Sequence, residues 1–150
     1  KHLPIFHYEF TDEKILRITL LMKGAGAENM SRMKMMKPSD GITEIKKFVI
    51  ETVKKAGGNP CPPTIVGVGI GGTSDYACFL AKKSLLKKET TDLEREILEE
   101  INTLNIGPMG LGGRTTSLRV CIETAGCHTA SLPVAVNLQC WAHRVASVVL

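Results

Sequence analysis

The chain has 150 residues, 43% hydrophobic and 23% charged, with a formal net charge of +4. That is the size and composition of one ordinary globular domain able to bury a core. Its apolar runs fall short of the ~20 residues of a membrane-spanning helix, and interleaved charges with only 5% aromatics argue against a nucleic-acid surface.

Residues 4–10 and 14–22 read as two strands around the turn TDEK. In the second, Ile15, Arg17, Thr19 and Leu21 alternate with Leu16, Ile18, Leu20 and Met22. The stretch KGAGAENMSRMKMMKPSD is loop-like with a short helical tail, and its methionines (30, 33, 35 and 36) read as core filler. A helix is expected from Ser39 as N-cap, with Ile42, Ile45, Phe48, Val49 and Val53 at helical spacing and Gly57 at its end. Thr64 to Ile70 is a short β-branched run of the kind buried on both faces. Ser74 can cap a helix reaching to about Lys88. A further helix opens with a capping box of Thr91 and Glu94 and carries the stripe Leu93, Ile97, Leu98, Ile101 and Leu104. NIGPMGLGGRTT is a glycine-rich loop. Residues 117–123 and 132–139 alternate as strands, and a helix is expected after Cys140 and Trp141.

This order predicts an α/β fold, a mixed sheet with flanking helices, forming a single unit over 1–150 without repeats or a linker. The strand-like start KHLPIFHYEF without an initiator methionine and the apolar end RVASVVL read as those of an incomplete piece of a larger domain.

The candidate chemistry begins at GNPCPPTIVGVGIGGTSD. Gly67, Gly69 and Gly72 satisfy G-x-G-x-x-G between a strand and a helix, the geometry of a dinucleotide loop. The acidic residue ending a second strand is missing, because KKETTDLERE is helical and charged, and no Walker lysine follows the glycines. The competing reading is that Gly67 and Gly69 permit close packing of a central strand.

Five cysteines at irregular spacing, without a CxxC pair, indicate free thiols in a reducing compartment rather than a disulfide scaffold. Cys61 is held between prolines and Cys140 stands where a strand ends; two such thiolates suit zinc or an iron–sulfur cluster, and two buried thiols are the alternative. Lys23 to Asn29, KGAGAEN, is either a tight turn or a nest whose backbone N–H groups face a carboxylate. His128 precedes a strand, as a structural residue or as a general acid/base. His2, His7 and His143 form no constellation in the sequence.

Together HYEF, KGAGAEN, KKFV, CPPTIVGVGIGGTSD, LAKKSLL, GPMGLGGRTTSL and HTASLPVAVNLQCWAHR resemble the class I (iron–sulfur) fumarate hydratase and L-tartrate dehydratase family. They match its α-subunit, or the N-terminal domain of its single-chain members, over nearly the whole chain. The resemblance implies a hydro-lyase that reversibly adds or removes water on a small dicarboxylate. It implies a 4Fe–4S cluster held by Cys61, Cys140 and a third cysteine outside this chain. It places Lys23, Gly24, Ala25, Gly26, Glu28 and Asn29 in a substrate-contacting turn, with Ala25 and Ala27 where the family usually has Gly and Ser, and His128 as a catalytic histidine. A β-subunit or C-terminal domain of the same enzyme is implied as partner, in a homodimer of the whole, without nucleic acid or membrane. The implied location is cytoplasmic, or mitochondrial in a eukaryote. The chain would then hold half a site and be inactive alone. The alternative of another class is a non-catalytic α/β assembly domain binding a carboxylate or nucleotide at its glycine-rich loops.

Overall fold

The computed structural model describes residues 4–150, so His2 lies outside the described residues. The elements run β1 (Arg17–Met22), α1 (Ala25–Glu28), β2 (Arg32–Met36), α2 (Gly41–Ala56), β3 (Thr64–Ile70), α3 (Ser74–Ser84), α4 (Asp92–Asn102), β4 (Ser117–Thr124), β5 (Leu132–Gln139) and β6 (Arg144–Val149), with short 3₁₀ turns at Pro38–Asp40 and Pro108–Gly110.

β3 is buried along nearly its whole length, and apolar after Thr64, because it is an interior strand with helices on both of its faces. It pairs parallel with β4 and antiparallel with β5, and β2 closes the other edge, giving the order β2-β5-β3-β4. On one face Val66, Val68, Val120, Val134, Val136 and Leu138 meet Phe48, Val49 and Val53 of α2 and Ile97 and Ile101 of α4. The opposite face is built from small residues. A Cβ on Gly67 would stand 2.1 Å from the Ala81 carbonyl oxygen, and one on Gly69 the same distance from that of Ala77. Only glycine allows α3 to lie so close to the sheet.

α4 begins as its sequence predicts. Thr91 and Glu94 form the reciprocal capping box. Glu94 then has a second role that its spacing does not announce. Its fully buried carboxylate accepts from Ile122 N–H at 2.6 Å, while Lys87 donates to both Glu94 (3.0 Å) and the Ile122 carbonyl (3.1 Å). The ion pair thereby satisfies the free edge of β4 in place of a neighbouring strand. Burial raises the Glu94 pKa, but the N–H groups of Thr91 and Ile122 and the Lys87 ammonium outweigh it and hold the carboxyl below its ordinary value.

Four expectations change. Residues 4–10 form no strand: the alternation is present, but no neighbour pairs with it and its side chains are exposed. The methionine-rich segment contains β2, paired with β5, and Met33 and Met35 are exposed while Met36 is buried. α2 starts after Asp40 rather than Ser39, and α3 starts after Thr73 and ends at Ser84. The segment after Trp141 is β6, not a helix. Val145, Val148 and Val149 favour extended backbone, and β1 supplies the ladder, from Arg17 opposite Val149 to Met22 opposite Arg144.

Candidate functional site

β3 and β5 are antiparallel, so the start of β3 lies beside the end of β5, with Ile65 opposite Gln139. This brings the CPP loop and the chain beyond β5 to one end of the sheet. The Cys61 carbonyl accepts from Trp141 N–H at 3.3 Å, tying the two cysteine segments together. Cys61 is in the left-handed region, with φ of 54°, a costly conformation for a residue with a Cβ. The loop is held from behind by Met109 N–H, which donates to the Pro62 carbonyl at 2.7 Å. GPMGLGG is therefore a brace for the cysteine loop. Both Cys61 and Cys140 are half-buried free thiols.

The third segment at this end is KGAGAEN. Its four-residue helix α1 seats Gly24 so that a Cβ there would lie 3.7 Å from Cys140 Sγ, and one on Gly26 would lie 3.5 Å from the Asn59 carbonyl oxygen. Lys23 donates through Nζ to the Leu138 carbonyl and stands 3.6 Å from Glu28. Burial lowers the Lys23 pKa, partly offset by the charge of Glu28. Glu28 turns inward. It pairs with Lys82 of α3 at 2.5 Å and accepts from Asn137 Nδ2 at 2.9 Å. Ala25, Gly26 and Asn29 are exposed, Ala27 is buried, and the Asn29 N–H closes the turn on the Ala25 carbonyl at 2.9 Å.

Four further residues, none given a role by sequence pattern, lie at or below this end. Lys82 and Asn137 hold Glu28, as above. Gln139 donates to the Met22 carbonyl at 2.7 Å, yet its buried Oε1 has no partner among the described residues. His143 Nδ1 is likewise buried and without a partner among them. Burial lowers the His143 pKa, reinforced by the cations Arg119 and Lys23. A lone Asn and a lone Gln inside the apolar run LPVAVNLQC are the sequence signal for the two that lie on β5, Asn137 and Gln139.

The structure does not bring His128 to this set. His128 precedes β5 and Cys140 follows it, so the eight residues of β5 lie between them. At ~3.3 Å per residue that is roughly 25 Å, several times the length of a small dicarboxylate. His128 instead lines an open cleft of about 630 Å³ with Gly72, Thr73, Tyr76 and Ser131, and its Nδ1 accepts from Ala130 N–H at 3.1 Å. The dinucleotide reading of Gly67 and Gly69 is also overturned: α3 covers both backbones, leaving no room for a pyrophosphate. Of the remaining cysteines, Cys121 is buried as a packing thiol, whereas Cys78 and Cys127 are exposed.

Two soft thiol donors brought to one end of the sheet are of the chemistry that could contribute to holding a zinc ion or an iron–sulfur cluster. No group of three or more His, Cys, Asp and Glu able to hold a metal ion exists among the described residues. A third ligand would come from elsewhere.

An α/β scaffold with paired cysteines and a glycine-rich turn at one sheet end defines the class. The family model described as Fumarate hydratase (Fumerase) matches residues 1–149, and the chain belongs to that family. It is 56% identical over 153 residues to a putative L(+)-tartrate dehydratase subunit alpha of Methanocaldococcus jannaschii, covering 95% of this chain and 54% of that protein. It is 36% identical over 141 residues to the L(+)-tartrate dehydratase subunit alpha of Escherichia coli strain K12, covering 89% of this chain and 46% of that protein. The chain thus spans about half the length of the curated relatives it matches.

Proposed function

We propose that the chain is part of an iron–sulfur-dependent hydro-lyase that reversibly adds or removes water on a small dicarboxylate, fumarate/malate or tartrate. The observation that supports this best is the convergence of Cys61, Cys140 and the turn Lys23–Asn29 at one end of the sheet. The family membership and the names of the relatives, tartrate dehydratase alpha subunits, agree with it.

Cys61 and Cys140 would hold a 4Fe–4S cluster together with a cysteine from outside the described residues. When bound, such a cluster supplies an open iron that acts as a Lewis acid on the substrate's hydroxyl and carboxylate. The residues of this chain orient the anion. The Lys23 ammonium offsets carboxylate charge in a half-buried setting, where an ion pair is worth more than in water. The exposed backbone of Ala25 and Gly26 and the Asn29 amide offer donors of fixed geometry. The acid and base that move the protons come from outside this chain, as does the remainder of the dicarboxylate pocket. A β-subunit or C-terminal domain supplies that remainder, in keeping with the alpha-subunit names of the relatives. His128 takes no step at the cysteine end of its own chain.

Anaerobic iron–sulfur reconstitution of the intact protein tests this. The visible absorbance of a thiolate-bound cluster is expected, with its loss in Cys61→Ser and in Cys140→Ser. Hydration of fumarate or dehydration of tartrate should disappear with it. A band that persists in both variants would refute the assignment.

A further inference from the structure

The family resemblance places Glu28 among the substrate contacts, yet its carboxylate is already engaged. One oxygen takes the Lys82 ammonium at 2.5 Å. The other takes Asn137 Nδ2 at 2.9 Å and lies 3.6 Å from Lys23. Asn137 is itself fixed, donating at 2.9 Å to Ser31 just beyond the turn. A carboxylate facing a dicarboxylate would repel it, and this one has no need of a further partner. Burial raises the Glu28 pKa, but Lys82 and Asn137 more than reverse this and keep it ionised.

α1, meanwhile, cannot hold itself. Four residues form too short a helix to persist alone. Lys82 belongs to α3, which is locked onto β3 by the close approach at Gly67 and Gly69. Asn137 belongs to β5, an interior strand. Glu28 therefore ties a short turn to α3 and to β5, two elements packed into the core.

We propose that Glu28 is a positioning residue, which through Lys82 and Asn137 locks the turn Lys23–Asn29 so that Lys23 and Gly24 stand at Cys140. The functional part of this inference rests on the reading of the cysteine end as the cluster and substrate site; the mechanical part does not.

The test uses the intact protein with Glu28→Gln, Lys82→Met, Glu28→Gln/Lys82→Met and the conservative Lys82→Arg. Hydrogen exchange is measured on cluster-free protein. Peptides spanning residues 23–30 should exchange about tenfold faster in Glu28→Gln and in Lys82→Met, with α2 and β3 unchanged. The double variant should go no further than either single one, since both break the same tie. Lys82→Arg should restore slow exchange. In the reconstituted enzyme, kcat/KM for the dicarboxylate should fall in Glu28→Gln and Lys82→Met and recover, together with slow exchange, in Lys82→Arg. Unchanged exchange at 23–30, whatever the kinetic effect, would overturn the proposal and return Glu28 to a substrate contact. Should Glu28→Gln disturb α2 and β3 as well, Lys82→Met against Lys82→Arg decides on the same criteria. Because exchange is read without cluster or substrate, a failed cluster assignment appears only in the cysteine variants, and a failed tie only here.

Discussion

Replacing Gly69 by alanine separates a packing glycine from a ligand-binding one. In an unencumbered strand the change should stabilise by about 0.5–1 kcal/mol, because glycine loses more backbone entropy on folding. Here the new methyl would stand 2.1 Å from the Ala77 carbonyl oxygen, 2.5 Å from the Ala81 nitrogen and 2.9 Å from Leu80 Cβ. Restoring ordinary contact at 3.4 Å means that α3 retreats by about 1.3 Å (3.4 − 2.1). A gap of even 0.5–1 Å forfeits roughly a quarter to a half of each dispersion contact. The side chains affected are Ala77, Leu80, Ala81 and Ser84, all buried on the sheet. Overpacking costs about 1–3 kcal/mol by itself. With the loosened α3 interface the expected loss is about 3 kcal/mol or more. Urea titration of the intact protein, checked for an unchanged slope, measures it. Gly126→Ala is the control: no atom lies within 4 Å of its added Cβ, so a change within about 0.5 kcal/mol is expected. A Gly69→Ala variant as stable as the parent, or more stable, would refute the close-packing account of the glycine cluster.

Two more expectations concern single groups. Glu94→Gln exchanges one buried acceptor for a donor among N–H groups, and should cost about 2–3 kcal/mol at neutral pH. Because the folded-state pKa of Glu94 lies below its ordinary 4.5, the stabilisation is fully present above 4.5 and is lost as pH falls through the folded value. The difference between parent and variant in urea should shrink over that acid window, and a pH-independent difference would contradict the ion-pair account. At Gly24, alanine should be tolerated, its Cβ meeting Cys140 Sγ at an ordinary 3.7 Å. Valine adds methyls into that contact and should lower iron loading by about tenfold or more, measured as bound iron after reconstitution. Equal loading in both variants would remove Gly24 from the site.

Local chemistry made several elements legible before any fold was known. The capping box of Thr91 and Glu94 and the apolar stripe of α2 rest on contacts within a few residues, which sequence spacing records directly. The β-branched run of β3 is as plain, and its burial on both faces follows from composition alone. The cysteine pair belonged to that legible part as residues, since Cys61 between prolines and Cys140 at a strand end stand out in the chain.

What tertiary structure decided depends on partners far apart in the chain. β6 is a strand because β1 lies beside it, more than a hundred residues earlier, and a ladder partner outweighs weak local preference. Residues 4–10 have the same alternation and no partner, and remain irregular. Glu28 stands in the turn KGAGAEN, and only the fold brings Lys82 and Asn137, from two other elements, onto its carboxylate. His128 lies twelve positions before Cys140 in sequence, yet an extended strand carries it to the far end of the sheet. Sequence determines which side chains bear the chemistry; the antiparallel run of β3 beside β5 determines which of them meet.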